Sequence, residues 1–181
     1  MLKVLLAIVV AIAAIGAVIA FLGSRLPVGH VATRSVVINA PAESVFAAVS
    51  DFAAAPSWRP DLKSVEVSAD QATGRQRITE VSSSGSLTME VVLSVPPSRL
   101  VTRIVGEGLP FGGAWAYDLQ PQGNATRVTI TEHGEVYNPV FRFVSRYLMG
   151  HASTLETYLT NLGKRFGQEV SPADAPAVPL P

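Results

Sequence analysis

Between Ser64 and Val136 the chain is cut by turn chemistry at Ala72 to Gly74, Ser83 to Gly85, Pro96 to Ser98, Leu109 to Gly113 and Gln122 to Asn124. The runs between these signals are roughly 8 to 12 residues long, a spacing that suits hairpin-linked strands. Within the runs, apolar residues alternate. "SLTMEVVLSV" puts Leu87, Met89, Val91, Leu93 and Val95 on one face, and "GAWAYDL" groups Trp115, Tyr117 and Leu119. The pattern predicts six antiparallel strands in a meander, with one apolar face that must be covered.

The cover is predicted downstream. In "NPVFRFVSRYLMGHASTLETYLTNLGKRFG", Val140, Phe143, Val144, Tyr147, Leu148, His151, Leu155, Tyr158, Leu159, Leu162 and Phe166 recur at three- and four-residue intervals. Asn138 and Pro139 suit the start of a helix and Gly167 its end, so one long amphipathic helix is expected. Upstream, "TRSVVINA" is a strand with Val36 and Ile38 on one face. Pro41 then opens a short helix carrying Glu43, Val45, Phe46 and Val49, which Pro56 stops. The order predicts an α+β fold: a curved antiparallel sheet of about seven strands wrapped on a long C-terminal helix.

Hydrophobic residues make up 48% of the 181 residues and charged ones 15%, an excess that one segment explains. Val4 to Leu22 is an unbroken apolar run that, as a helix, would span about 28 Å, close to the hydrocarbon thickness of a bilayer. It is longer than the apolar part of a signal peptide and is followed by Arg25, Leu26 and Pro27 rather than a small-residue cleavage site, so a single-pass anchor is expected. Lys3 lies on one side and Arg25 and Arg34 on the other. The reading adopted puts the N-terminus inside and the folded domain on the non-cytoplasmic side. The expected domains are an anchor and spacer over 1–30, a folded domain over 31–170 and a disordered Pro- and Ala-rich tail over 171–181. A formal net charge of 0 argues against a nucleic-acid partner, and the absence of cysteine removes thiolate chemistry.

The stretch "VVINAPAESVFAAVSDFAAAPSWRPDLKSVEV", the strand "TRVTITEHGEV" and the closing amphipathic segment resemble the SRPBCC superfamily, also called START-like or helix-grip, and within it the bacterial polyketide cyclase/dehydrase group. The resemblance runs from about Val31 to Phe166. It implies a cavity between sheet and helix that takes a hydrophobic small molecule or lipid, with Trp58 at its mouth and Pro60 stiffening the return into the sheet. The family also contains cyclases, so an enzyme acting on a polyketide-like substrate and a non-catalytic envelope or stress interaction module stay open beside the binding role.

The cavity-facing candidates are Trp58, Met89, Trp115, Tyr117, Tyr147, His151, Leu155 and Tyr158; for Trp58, Trp115, Tyr117 and Tyr158 plain core packing is the alternative. His151 shares the helix stripe and is either a hydrogen-bonded core residue or a ligand contact or general base. Glu132 follows Val128 and Ile130 on one strand face, where it is either an inward carboxylate fit for proton transfer or a solvated rim residue. These two are the catalytic candidates. Arg59, Arg75, Arg77 and Arg103 are placed to meet an anionic headgroup at the rim or simply to face water. No cofactor is called for: "GEGLPFGG" lies between two strands and opens no helix, and His30, His133 and His151 lack metal-ligand spacing.

Overall fold

The computed structural model describes residues 1–181 apart from the side chain of Met149. A 23-residue helix, α1 (Leu2–Ser24), leads into β1 (Gly29–Ile38) and α2 (Ala42–Ser50). A tight 3₁₀ turn over Phe52–Ser57 follows, with Asp51 accepting the Ala54 N–H at 3.2 Å to cap it. The meander is β2 (Leu62–Ala69), β3 (Gln76–Ser82), β4 (Gly85–Val95), β5 (Arg99–Ile104), β6 (Phe111–Gln122) and β7 (Ala125–Val136). All six strands fall where the punctuation predicts them, although Phe111 to Gly113, expected in a turn, already pair with β7 as the start of β6. β1 pairs antiparallel with β7, so the first strand closes the sheet beside the last, in the order β2-β3-β4-β5-β6-β7-β1 with a short eighth strand beyond.

The concave face of the sheet packs on α2 and on α4 (Ser153–Arg165). Val36, Ile38, Ile78, Leu100, Leu119, Val128 and Ile130 meet Val45 and Val49 from α2 and Leu155, Leu159 and Leu162 from α4. These side chains are nearly or wholly out of water, each contributing about 1.5 to 3 kcal/mol of transfer free energy. This is the helix-grip arrangement.

Three expectations are corrected. The single C-terminal helix is two helices: α3 (Pro139–Val144), capped by Asn138 accepting the Val140 and Phe141 N–H groups, runs into a wider π turn over Ser145–Met149 and stops at Gly150. Gly150 has φ 75° and ψ 151°, a backbone region almost closed to side-chain-bearing residues, so an amphipathic repeat cannot carry a helix through it. The strict alternation of β4 also fails. A bulge between Val91 and Leu93 turns Val92 and Leu93 to the convex face, away from Met89 and Val91.

The third correction concerns 171–181, which pair briefly at the edge of the sheet and then pack on its convex face. Ala173–Asp174 form β8 on β1, and Val178 and Leu180 cover Val101, Ala114 and Ala116. The Val178 N–H donates to Thr131 Oγ1 at 2.9 Å, the Val178 carbonyl contacts His133 Nε2 at 2.8 Å, and Arg99 donates to the Pro179 carbonyl. Gly163 permits this return: a Cβ there would lie 2.6 Å from Val170 Cγ2.

Candidate functional site

Two neighbouring side-chain clusters, joined by Trp115, lie against the sheet beside α4. In the first, Tyr158 of α4 is the hub of an aromatic group. Its ring meets Trp58 edge-on at 5.3 Å, Trp115 at 5.7 Å and Tyr117 at 5.7 Å. The Arg59 guanidinium lies 5.4 Å over the same ring and is held by Glu80, at 2.5 Å from Nη1, and by Asp61, at 3.0 Å from Nη2. Burial opposes the Arg59 charge, yet Glu80 more than offsets this, and its pKa ends above the usual arginine value. Burial also pushes both phenols, Tyr117 and Tyr158, upward, so each stays a neutral hydroxyl.

These residues surround a pocket lined by Trp58, Arg59, Glu80, Met89, Thr102, Tyr117 and Tyr158 along with Val49, Asp51, Phe52 and Ala55. Its free volume is about 20 Å³, room for one water molecule, because the aromatic side chains fill most of the space. The indole N–H of Trp58 is buried against it and finds no acceptor in the protein. A buried donor in that condition carries a desolvation cost of about 1 to 3 kcal/mol, which an acceptor brought by another molecule would remove.

On the other side of Trp115, Glu132 of β7 accepts from the Trp115 indole N–H at 3.1 Å and contacts His30 Nε2 of β1 at 2.9 Å. The His30 ring stacks on His151 with centroids 3.8 Å apart. Gly134 makes this possible, since a Cβ there would stand 2.3 Å from the His30 ring. Burial, and then the neighbouring His30, hold the His151 imidazole below the usual histidine range, with Glu132 opposing. Trp115 links the clusters, touching Tyr158 with one edge and Glu132 with its N–H. Among the described residues, no group of three or more His, Asp or Glu side chains is arranged to hold a metal ion.

Of the cavity candidates, Trp58, Met89, Tyr117 and Tyr158 line the pocket, Trp115 packs behind it and Leu155 is sealed in the core. Tyr147 does not reach it. Its side chain is 60% exposed, because the π turn and Gly150 separate its helix from α4. Glu132 and His151 belong to the second cluster. Of the four arginines, Arg59 is inside, Arg77 pairs with Asp70 and Glu90, and Arg75 and Arg103 face water.

His30 and Glu80 were missed. The signal for His30 was present: stepping back in twos from Ile38 through Val36, Arg34 and Ala32 along one strand face reaches it. Nothing local marks Glu80, whose role comes from Arg59 folding over it.

The family described as "Polyketide cyclase / dehydrase and lipid transport" matches residues 29–166, from β1 through α4. The chain belongs to that family. Solved members of the fold agree with this cyclase/dehydrase and lipid transport assignment in shape alone, at low identity. A START superfamily protein from Mycobacterium smegmatis is 21% identical, with a TM-score of 0.60 over 76% of this chain and 97% of that one. A conserved protein from Geobacillus kaustophilus gives 20% and 0.63, covering 76% and 95%. A truncated norcoclaurine synthase from Thalictrum flavum gives 12% and 0.60, covering 76% and 93%. No curated protein matches the chain. Members of this superfamily commonly bind hydrophobic ligands. Outside the matched region, α1 is long and apolar enough to cross a membrane, a property that signal sequences near an N-terminus share.

Proposed function

We propose that this chain is a membrane-anchored binding protein that takes a hydrophobic small molecule or lipid between the sheet and α4. The observation that carries this is the unpartnered Trp58 N–H beside Tyr158, on whose ring Trp115 and Tyr117 also pack. An apolar body with one oxygen acceptor satisfies both features of that wall at once. With about 20 Å³ free, the aromatic group must part to admit it, and Trp58, at the end of the 3₁₀ turn, is the side chain best placed to swing. Anchoring by α1 would hold the domain beside poorly soluble molecules at high local concentration. The N-terminus would lie in the cytoplasm and the domain outside it.

The test is native mass spectrometry of the full chain released gently from its own membrane. Wild type is expected to carry an apolar molecule that Trp58→Phe retains poorly. A wild-type protein that is empty, and that takes up neither fluorescent lipid nor quinone, would overturn the reading. An alkaline phosphatase fusion at the C-terminus checks sidedness, and an inactive fusion would reverse it.

A second reading has its own support. Glu132, with His30 and His151 around it, is a carboxylate and imidazole group able to move a proton on a bound polyketide-like substrate. Glu132→Gln and His151→Ala should then each abolish turnover while leaving ligand retention intact. Unchanged turnover in both would remove the enzymatic role.

A further inference from the structure

Beyond α1, every exposed large aromatic side chain among the described residues lies at one end of the domain. Phe111 is 42% exposed, Tyr137 47%, Phe141 56% and Tyr147 60%, and Leu148 beside them is 75% exposed. Pairing of Phe111 with Val136 brings the start of β6 to the end of β7, and the Tyr137 N–H donates to the Pro110 carbonyl at 2.9 Å. This is the end at which the chain leaves α1.

The connection is tight. Gly23 is buried, and a Cβ on it would lie 1.8 Å from the Pro139 carbonyl oxygen, so α3 crosses α1 in backbone contact. Arg142 donates from Nη1 to the Leu26 carbonyl at 2.9 Å and from Nη2 to the Tyr137 carbonyl at 3.1 Å, tying the spacer to the start of α3. The Val136 N–H donates to the Val28 carbonyl at 2.9 Å. Gly23 follows directly on the apolar run that ends at Leu22, so whatever touches Gly23 lies at the depth where hydrocarbon gives way to headgroups. Aromatic rings and a leucine at that level, with Arg25 and Arg146 exposed beside them, have the composition of an interfacial element.

We infer that this pole, Phe111 with the segment from Tyr137 to Leu148, docks on the surface of the bilayer that α1 crosses, its rings in the headgroup layer and its arginines on lipid phosphates. The domain is thus held on the membrane by two contacts, a span and a docked pole, and does not hang free on its spacer. The inference rests on the anchored reading of α1 and is independent of what the pocket binds.

The chain has no cysteine, so single Cys labels report cleanly. The full chain is placed in nanodiscs of phosphatidylcholine and phosphatidylglycerol with an environment-sensitive fluorophore at Val10→Cys, Leu148→Cys or Val67→Cys. The labels at 10 and 148 should be quenched by lipid-borne nitroxides, the one at 148 most strongly by a headgroup nitroxide; the one at 67 should be quenched by aqueous iodide alone. The double variant Phe141→Glu/Leu148→Glu, labelled at Tyr147→Cys, should lose most of the lipid quenching seen at that site with 141 and 148 intact. A label at 148 that behaves like the one at 67 overturns docking, as does one shielded from both quenchers, which would mean a protein covers the pole. A label at 10 that reports water removes the anchor itself, a failure distinct from loss of docking.

Discussion

The segment from Asn138 to Phe166 carries one apolar repeat, yet its two halves live in different surroundings. In α4, Leu155, Leu159 and Leu162 are fully buried and Tyr158 is 6% exposed. In α3 and the π turn, Val140, Tyr147 and Leu148 stand in the open and Phe143 and Val144 are only half-buried. The repeat therefore specifies an amphipathic surface and says nothing about what covers it. The concave sheet covers the second half, and the proposed occupant of the first is lipid. The tail is the reverse case: "SPADAPAVPLP" has no period at all and still covers the convex face.

This contrast can be broken or sharpened by substitution in the full chain, read by denaturant unfolding in detergent unless stated. Leu159→Ala leaves a cavity under the sheet and should cost about 2 to 5 kcal/mol; a loss under 1 would mean α4 does not pack as described. Gly150→Ala meets no neighbour within 4 Å, so its cost is purely conformational, about 1 to 3 kcal/mol. No loss there would indicate a helix that runs straight through. Deleting residues 171–181 uncovers Val101, Ala114 and Ala116 and should cost about 1 to 2 kcal/mol, with the rise in exposed apolar surface detectable by dye binding.

Acid should loosen the joint between the halves slightly. His151 has a depressed folded pKa, so the unfolded chain takes up the proton first as pH falls through 6.5. Stability is whole above that value and declines below it, towards the folded pKa. An imidazole titration by NMR checks the sign, and a midpoint above 6.5 would contradict it. The smallest effect belongs to Leu148→Ser, expected to change folding stability by less than about 0.5 kcal/mol. A large loss would show that residue 148 packs within the protein.

The meander was legible because both of its signals are local. Glycine, proline and asparagine set turn geometry within four residues, and alternation needs only a run of neighbours. The same alternation through Val128 and Ile130 left Glu132 open between the inside and the rim, and its bonds to Trp115 and His30 decided for the inside. The partners of these residues did not follow. His30 meets Glu132 from 102 residues away, and it lies where Gly29 to Ile38 had been expected to be spacer at one end and strand at the other. The pocket was misjudged in the same way, since volume depends on how Trp58, Trp115, Tyr117 and Tyr158 settle against one another, a four-body packing problem that no single stretch encodes.

By itself the sequence determined the meander of six strands, the long apolar character of α1 and the family, all properties carried by short windows or by pattern. Tertiary structure alone decided where the apolar repeat breaks, that the tail lies against the sheet, which histidine pairs with Glu132 and how little room is left beside Trp58. These outcomes depend on contacts between distant residues, where a left-handed glycine, a bulge at Val92 or a missing Cβ at Gly134 chooses among arrangements that local propensity cannot distinguish.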